Sequence, residues 1–173
     1  GLDLRLSVLR EGGRSGIIAA VYGAVPQRTP GSFVAYTNIN SLLLGEIVAL
    51  VAGMPLDQAI ATLVCEPLGL TETGFNPPEA LRARIPPTEW DEEWRGGLVH
   101  GMVHDESAYA LGGVAGHAGL FSTAPDLERF LRMWLQGGAW GGRQILREAT
   151  VAAALRDYTH GLPTHSGQPA SSR

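Results

Sequence analysis

The chain has 173 residues, the size of one ordinary domain, and 45% of them are hydrophobic, which is enough for a core of normal proportions. Its net charge of −4 argues against nucleic acid as a partner, because phosphate binding needs a basic surface. No stretch approaches the roughly 18 unbroken apolar residues of a membrane span, so no span is expected in this chain.

Lysine and cysteine are the informative residue types in the composition. All 13 basic residues are arginine, and the chain contains no lysine. The single cysteine, Cys65, lies in an apolar run, so it is interpreted as a buried structural thiol that does not indicate a redox compartment. Residues 1–5 lack the profile of a signal peptide, so a leader would have to lie upstream of them.

Apolar spacing predicts three helices in the first half of the chain. They run from Ser15 to about Ala24, from Asn38 or Asn40 to Ala52, and from Pro55 to Cys65 or Glu66. Gly53 is expected to end the second helix, with an Asn or Ser cap at its start, and Pro67 is expected to end the third. The residues expected on the apolar faces of the first two helices are Ile17, Ile18, Val21, Tyr22, Leu42, Leu43, Ile47, Leu50 and Val51.

The second half of the chain is predicted to be less regular. Residues 76–109 carry proline pairs and a charged cluster, which favour a long surface loop, and residues 111–121 are glycine-rich. A helix with Ser122 or Thr123 as its N-cap is expected to end at Gly137 and to bury Leu127, Phe130, Leu131 and Trp134.

A short strand at residues 143–146 and a last helix at 148–156 complete the predicted elements. Apolar patterning then disappears, so residues 1–157 are interpreted as one partial domain and 158–173 as a loose C-terminal tail.

Three segments, in this order and spacing, resemble one family. They are PGSFVAYTN at 30–38 followed by LLLGEIV at 42–48, PLGLTETGF at 67–75, and VHDE at 103–106 with GGVAGHAGLFSTA at 112–124 and DL at 126–127. Tyr-x-Asn alone occurs often by chance, but the three together resemble serine hydrolases with the β-lactamase/transpeptidase fold. These are class C β-lactamases, low-molecular-weight penicillin-binding proteins that act as carboxypeptidases, and related esterases. The resemblance covers roughly residues 1–157.

The resemblance implies acyl transfer through a covalent acyl-serine, which replaces one difficult step by two easier ones. The family's nucleophile lies in a Ser-x-x-Lys turn, where the lysine amine accepts the serine proton. By resemblance, Tyr36 is the second proton-handling group, and the amide of Asn38 holds the substrate carbonyl or amide. The structural alternative makes Tyr36 a core aromatic residue and Asn38 a helix N-cap.

A chain without lysine contains neither Ser-x-x-Lys nor Lys-Thr-Gly. The nearest imitation of the first, Ser7-Val8-Leu9-Arg10, fails because arginine stays protonated and cannot act as a base. In the family, a His-Thr-Ser-Gly-like segment follows the nucleophile, and Gly1-Leu2 looks like the end of that segment. The family's last motif is Lys-Thr-Gly or His-Thr-Gly, and Thr164-His165-Ser166-Gly167 comes too early in the chain to match it. The chain is therefore expected to be an internal piece of a hydrolase, inactive alone.

The histidines suggest a metal site as an alternative, since His100-x-x-x-His104 has the spacing of two ligands on a helix. Gly101 argues against a helix there, and the pattern with a glutamate between the histidines is absent. No metal or other cofactor is therefore expected. The resemblance instead places the loop 112–122 along the substrate cleft, with His117 as a candidate substrate contact.

The resemblance implies an α+β protein in which an antiparallel sheet lies beside a helical part. This chain is expected to contain mostly the helical part and the cleft loops, with the central sheet largely missing. The expected function is cleavage of an amide or ester: a β-lactam, a D-Ala-D-Ala peptide or a carboxylic ester, hence a small-molecule or peptidoglycan-like substrate. Alternatives are a noncatalytic binding module that keeps the cleft and a metal-dependent hydrolase. Family members are often periplasmic or secreted, but these residues do not indicate a compartment.

Overall fold

A computed structural model describes residues 12–159 and 161–162, in which helices are the main secondary structure. The helices are α1 (Gly13–Gly23), α2 (Asn38–Ala52), α3 (Leu56–Ile60), a π-helical turn (Ala61–Cys65), α4 (Glu66–Leu68), a 3-10 helix (Glu79–Arg84), α5 (Glu106–Ala110), α6 (Ala124–Leu135) and α7 (Glu148–Ala154).

The strands form three separate antiparallel pairs. They are β1 (Gly74–Phe75) with β4 (Leu120–Phe121), β2 (Glu89–Asp91) with β3 (Gly97–Val99), and β5 (Ala139–Trp140) with β6 (Arg143–Gln144). Within the described ranges no larger sheet forms, which agrees with the expectation of a helical part from which the central sheet is largely missing.

Helix α2 has the predicted bounds, but its cap differs from the prediction. Thr37, in extended conformation, is the N-cap, and its Oγ1 accepts a hydrogen bond from the N–H of Ile39 at 3.3 Å. Threonine satisfies one of the free N–H groups at a helix start as an Asn or Ser would. Gly53 ends the helix at φ 67°, a left-handed conformation that glycine adopts without steric cost.

The prediction that Pro67 ends the third helix is wrong. The chain continues through α3, the π-helical turn and α4, and it stops at Gly69, whose φ is 66°. Pro67 lies in the first turn of α4, where a missing N–H is tolerated.

Two hydrophobic clusters hold the described residues together. The first joins α1, the start of α2, α5 and the glycine-rich loop, and the second joins the α3–α4 region to α6 and the β5–β6 pair. The buried members of the first are Ile17, Val21, Ile39, Leu42, Val103, Ala108, Leu111 and Ala115, and those of the second are Cys65, Leu68, Leu70 and Met133. Burial also raises the pKa of the Cys65 thiol.

Several residues predicted to be buried are exposed. On α2 the exposed apolar side chains are Leu44, Ile47, Val48, Leu50 and Val51. Four of them, at positions 44, 47, 48 and 51, repeat at helical spacing and form one stripe, named here the α2 apolar surface. The stripe is exposed because the opposite face of α2, with Ile39 and Leu42, is the one that packs into the first hydrophobic cluster.

The predicted burial of Tyr22, Leu127 and Leu131 is likewise wrong. In α6 the side chains that pack are Phe130, Met133 and Trp134.

The prediction of a long loop at residues 76–109 is also wrong, since a 3-10 helix, the β2–β3 pair and α5 occupy much of it. The side chain of Arg95 orders this region and is only 1% exposed. Its Nη1 donates to Asp91 Oδ2 at 2.6 Å, and its Nη2 donates to the backbone carbonyls of Val103 and His104. The guanidinium thus links strand β2, through Asp91, to the backbone just before α5.

Helix α2 and the glycine-rich loop approach each other closely at two glycines. A Cβ on Gly116 would lie 2.0 Å from the carbonyl oxygen of Ser41, and a Cβ on Gly45 would lie 2.9 Å from the Cα of Gly116. Both distances are shorter than any relaxed packing allows, so the backbones touch only because both residues are glycine.

Replacement of Gly116 by alanine is expected to destabilise the protein by about 1–3 kcal/mol, because the new methyl group meets backbone that cannot rotate away. Urea unfolding measures the change. The matched control is Gly16→Ala in α1, where nothing lies within 4 Å of an added Cβ and alanine favours the helix. Equal stability of Gly116→Ala and the unchanged protein would contradict the close approach.

The α2 apolar surface is expected to make the 173-residue chain self-associate when it is isolated, because exposed apolar stripes of this kind associate in water. Val51→Glu should lower the apparent mass measured by light scattering at a fixed concentration. Leu63→Glu, at an exposed position in the π-helical turn, is the control and should leave the mass unchanged. A monodisperse monomer before substitution would be the contrary result.

Candidate active site

The Tyr36-Thr37-Asn38 motif lies where extended chain enters helix α2. The side chain of Tyr36 is 93% exposed, so it is not the core aromatic residue of the structural alternative. Asn38 is the first helical residue and Thr37 is the cap, so the structural role considered for Asn38 is filled by its neighbour. The catalytic role of Tyr36 and the substrate-binding role of Asn38 stay predictions.

Asn38 shares a face of α2 with residues that contact the glycine-rich loop. Ser41 and Gly45 follow it at helical spacing, and both lie against Gly116. A cavity of about 230 Å³ runs along this contact. Its lining includes Ser41, Gly45, Gly116, Phe75 and Leu120, and also Leu44 and Val48 of the α2 apolar surface. The first and third of the family-like segments therefore meet in one cleft.

The buried carboxylate of Asp126 joins the second segment to the third. Its Oδ2 accepts hydrogen bonds from the backbone N–H of Glu72 and the hydroxyl of Thr73, both at 2.9 Å. The Nη1 group of Arg129 donates to Asp126 Oδ1 at 3.1 Å and to the carbonyl of Gly69 at 2.6 Å. A buried charge with this many donors is satisfied, so it fixes the segment 67–75 against the start of α6.

The β1–β4 pair extends the same junction to the glycine-rich loop. Gly74 pairs with Phe121, and Phe75 pairs with Leu120. The side chain of Asn76 then donates from Nδ2 to the carbonyl of Gly112 at 2.9 Å, and Asn76 itself has a φ of 45°. All three segments are thus brought together by contacts that their own residues make.

His117 is deeply buried within the loop. Its side chain is 4% exposed, and its Nε2–H donates to Asp105 Oδ1 at 3.0 Å. This hydrogen bond lowers the pKa of the Asp105 carboxyl, against the opposing effect of burial, and a bond from the N–H of Ala108 lowers it further. A direct contact of His117 with substrate is not the role that this burial favours.

The other two described histidines bind protein groups. The Nε2 of His100 lies 2.8 Å from the carbonyl of Arg82 and 2.7 Å from that of Ile85. The Nδ1 of His104 lies 3.0 Å from Thr88 Oγ1. Residues 100–105 are not helical, as Gly101 indicated, and in the part of the chain that is described no three His, Cys, Asp or Glu side chains are grouped to hold a metal ion.

Several sequence features lie outside the described residues: Gly1-Leu2, Ser7-Val8-Leu9-Arg10, Thr164-His165-Ser166-Gly167 and most of the predicted tail. Among the described helices, no single one is long and apolar enough to cross a membrane. The helices at 38–52 and 56–68, which meet at an angle of 77°, reach the length and apolar composition of a membrane span only when they are counted together.

Sequence reasoning missed two of the contacts that build this cleft, the Asp126 junction and the Asp105–His117 pair. Asp105 was recognisable as a helix cap, since an Asp followed by Glu and small residues is typical of a helix start. Nothing in the spacing of residues 105 and 117 indicated that the two side chains meet.

Comparisons with known proteins agree with this geometry. The family model described as Beta-lactamase matches residues 7–171. A protein of Salmonella schwarzengrund (strain CVM19633), named "Putative D-alanyl-D-alanine carboxypeptidase", is 38% identical over 152 residues, covering 77% of this chain and 35% of the relative. The chain therefore spans about a third of the length of the curated relatives that it matches.

Solved structures give the same fold. A penicillin-binding protein homologue from Caulobacter crescentus has a TM-score of 0.59 at 21% identity, with 89% of this chain and 44% of that chain covered. The octameric penicillin-binding protein homologue from Pyrococcus abyssi has a TM-score of 0.58 at 22% identity, with 90% and 32% covered. With a family model that matches nearly all of its residues and neighbours of this fold, the chain belongs to the β-lactamase family.

Proposed function

We propose that the protein containing this chain is a serine hydrolase that cleaves a C-terminal D-Ala-D-Ala-type peptide bond through an acyl-serine intermediate. β-Lactams and carboxylic esters are the alternative substrates of the same chemistry. The observation that supports the proposal is that contacts among their own residues bring the three family-like segments together beside the first turns of α2, which begin at Asn38, two residues after Tyr36. The name of the Salmonella relative favours the peptide substrate.

The reaction has two balanced steps. A serine oxygen attacks the substrate carbonyl, the C–N bond breaks, and the amine leaves with the serine proton. Water then attacks the acyl-serine, the ester C–O bond breaks, and the carboxylic acid leaves as the serine hydroxyl is restored. The phenol of Tyr36 would pass the proton between the serine and the leaving amine, since a proton-handling group in the transition state contributes about 10²- to 10⁴-fold in rate. Its exposure leaves the hydroxyl accessible for this role.

Asn38 would hold the substrate amide in register. Its side-chain amide both donates and accepts, and its place at the start of α2 puts it beside the cleft that Gly116 and Ser41 line. The serine and its lysine base would come from outside this chain, because the 173 residues contain no lysine.

The same lack of lysine supports a second candidate, a noncatalytic binding module that keeps the cleft and has no nucleophile. The two candidates differ in one measurable property. A hydrolase forms a covalent adduct with a penicillin or a fluorophosphonate, whereas a binding module does not.

Tyr36→Phe in the complete gene product is expected to lower kcat for release of D-alanine from a D-Ala-D-Ala peptide by about 10²- to 10⁴-fold, because the proton-handling group is lost. Stability should stay unchanged, since this side chain is exposed. Tyr22→Phe, the same substitution at an exposed tyrosine of α1, is the control. Equal losses in both variants, or none in Tyr36→Phe, would refute the assigned role.

The isolated 173-residue chain is expected not to react with a fluorescent penicillin or fluorophosphonate, because Ser-x-x-Lys cannot occur in a sequence without lysine. Gel fluorescence after incubation measures the adduct, and the complete gene product labelled in parallel is the positive control. A labelled serine within the isolated chain would show that the nucleophile has been misplaced.

A further inference from the structure

The glycine-rich loop is closed on itself by one hydrogen-bonded pair of side chains, His117 and Asp105. It leaves the C-terminal end of α5 at Gly112, and His117 returns to Asp105, the N-cap of that same helix. The loop is therefore anchored to both ends of one short helix, so its path depends on the contact between these two side chains.

The His117 side chain is buried and Asp105 is partly buried, and the carboxylate of Asp105 also accepts a hydrogen bond from the helix. Asp105 Oδ1 accepts from the N–H of Ala108 at 2.8 Å as well as from His117 Nε2 at 3.0 Å. The carboxylate that holds His117 is therefore also the N-cap of the five-residue helix α5. Loss of the pair would disturb the loop and the helix start together.

The loop connects the His117–Asp105 hydrogen bond to α2. His117 directly follows Gly116, whose Cα packs on the backbone of Ser41 and Gly45. These are the residues that share the cleft-facing side of α2 with Asn38. Movement of the His117 ring away from Asp105 would displace Gly116 from its close backbone contact with Ser41 and Gly45, where the packing allows no adjustment.

We propose that Asp105 and His117 form a positioning pair that holds the glycine-rich loop against the first turns of α2 and so sets the width of the substrate cleft. His117 acts through the loop and does not touch substrate, because its ring is enclosed. The consequence for catalysis rests on the proposed hydrolase function, whereas the consequence for loop order does not.

Three variants of the full chain test the effect on loop order. His117→Leu removes the donor to Asp105 with little change in volume, His117→Gln keeps an N–H donor, and His104→Leu is a control at an exposed histidine 13 positions earlier in the chain. Hydrogen–deuterium exchange of residues 112–119 is measured against that of α6. Exchange in the loop should rise by about tenfold or more in His117→Leu, by less in His117→Gln, and not in His104→Leu.

Unchanged loop exchange in His117→Leu would overturn the proposal. An equal increase in the loop and in α6 would also overturn it, because that is the signature of general destabilisation.

Kinetics of the complete gene product test the effect on the cleft. His117→Leu is expected to lower kcat/KM by about 10- to 100-fold, mainly through KM, since a displaced loop weakens binding before it weakens chemistry. His117→Gln should recover most of the loss. A fall in Tm with unchanged kcat/KM would leave the pair a purely structural role and overturn the cleft assignment.

If the unchanged gene product forms no acyl-serine, the proposed function fails, and the exchange measurement alone decides whether the pair positions the loop.

Discussion

The backbone contact between Gly45 of α2 and Gly116 of the glycine-rich loop is the constraint on which the candidate site depends. Neither residue has a side chain, so the helix and the loop approach more closely than any other pair of residue types would allow. The first hydrophobic cluster lies beside this contact. It includes Ala115, which directly precedes Gly116, and Leu42, which lies three residues before Gly45 on α2. Apolar packing therefore supplies the stability, and the two glycines supply the geometry.

Most residues in the family-like segments have structural roles. Asp126 and Thr73 join two segments through a buried carboxylate, and the β1–β4 pair extends the junction into the loop. Tyr36 and Asn38 differ from these residues, because Tyr36 is exposed and is not a core residue, and the cap of α2 is Thr37 and not Asn38. Most residues of these segments thus fix where the backbone lies, and few of them are candidates for the chemistry itself. Reacting groups need such a rigid support.

Sequence reasoning predicted what local patterns determine. The bounds of α2 followed from apolar spacing and from Gly53, and the family followed from three ordered segments. It failed where the outcome depended on distant partners. Leu50 and Val51 have the character of core residues, but which side of an apolar helix is covered depends on elements elsewhere in the fold. Residues 76–109 look irregular because their order comes from the buried Arg95, whose carbonyl acceptors no local pattern reveals.

The use of arginine as the only Lys/Arg-type residue of the chain has a structural consequence at Arg95. Its two terminal nitrogens serve a carboxylate and two carbonyls at once, and the plane of the guanidinium lies over the ring of Tyr109, with Cζ 4.8 Å from the ring centroid. An ammonium group is a point charge with no flat face and no fixed fork. At position 95 the charge alone is therefore not sufficient, because a lysine would keep the charge but lose the planar, forked geometry that these contacts use.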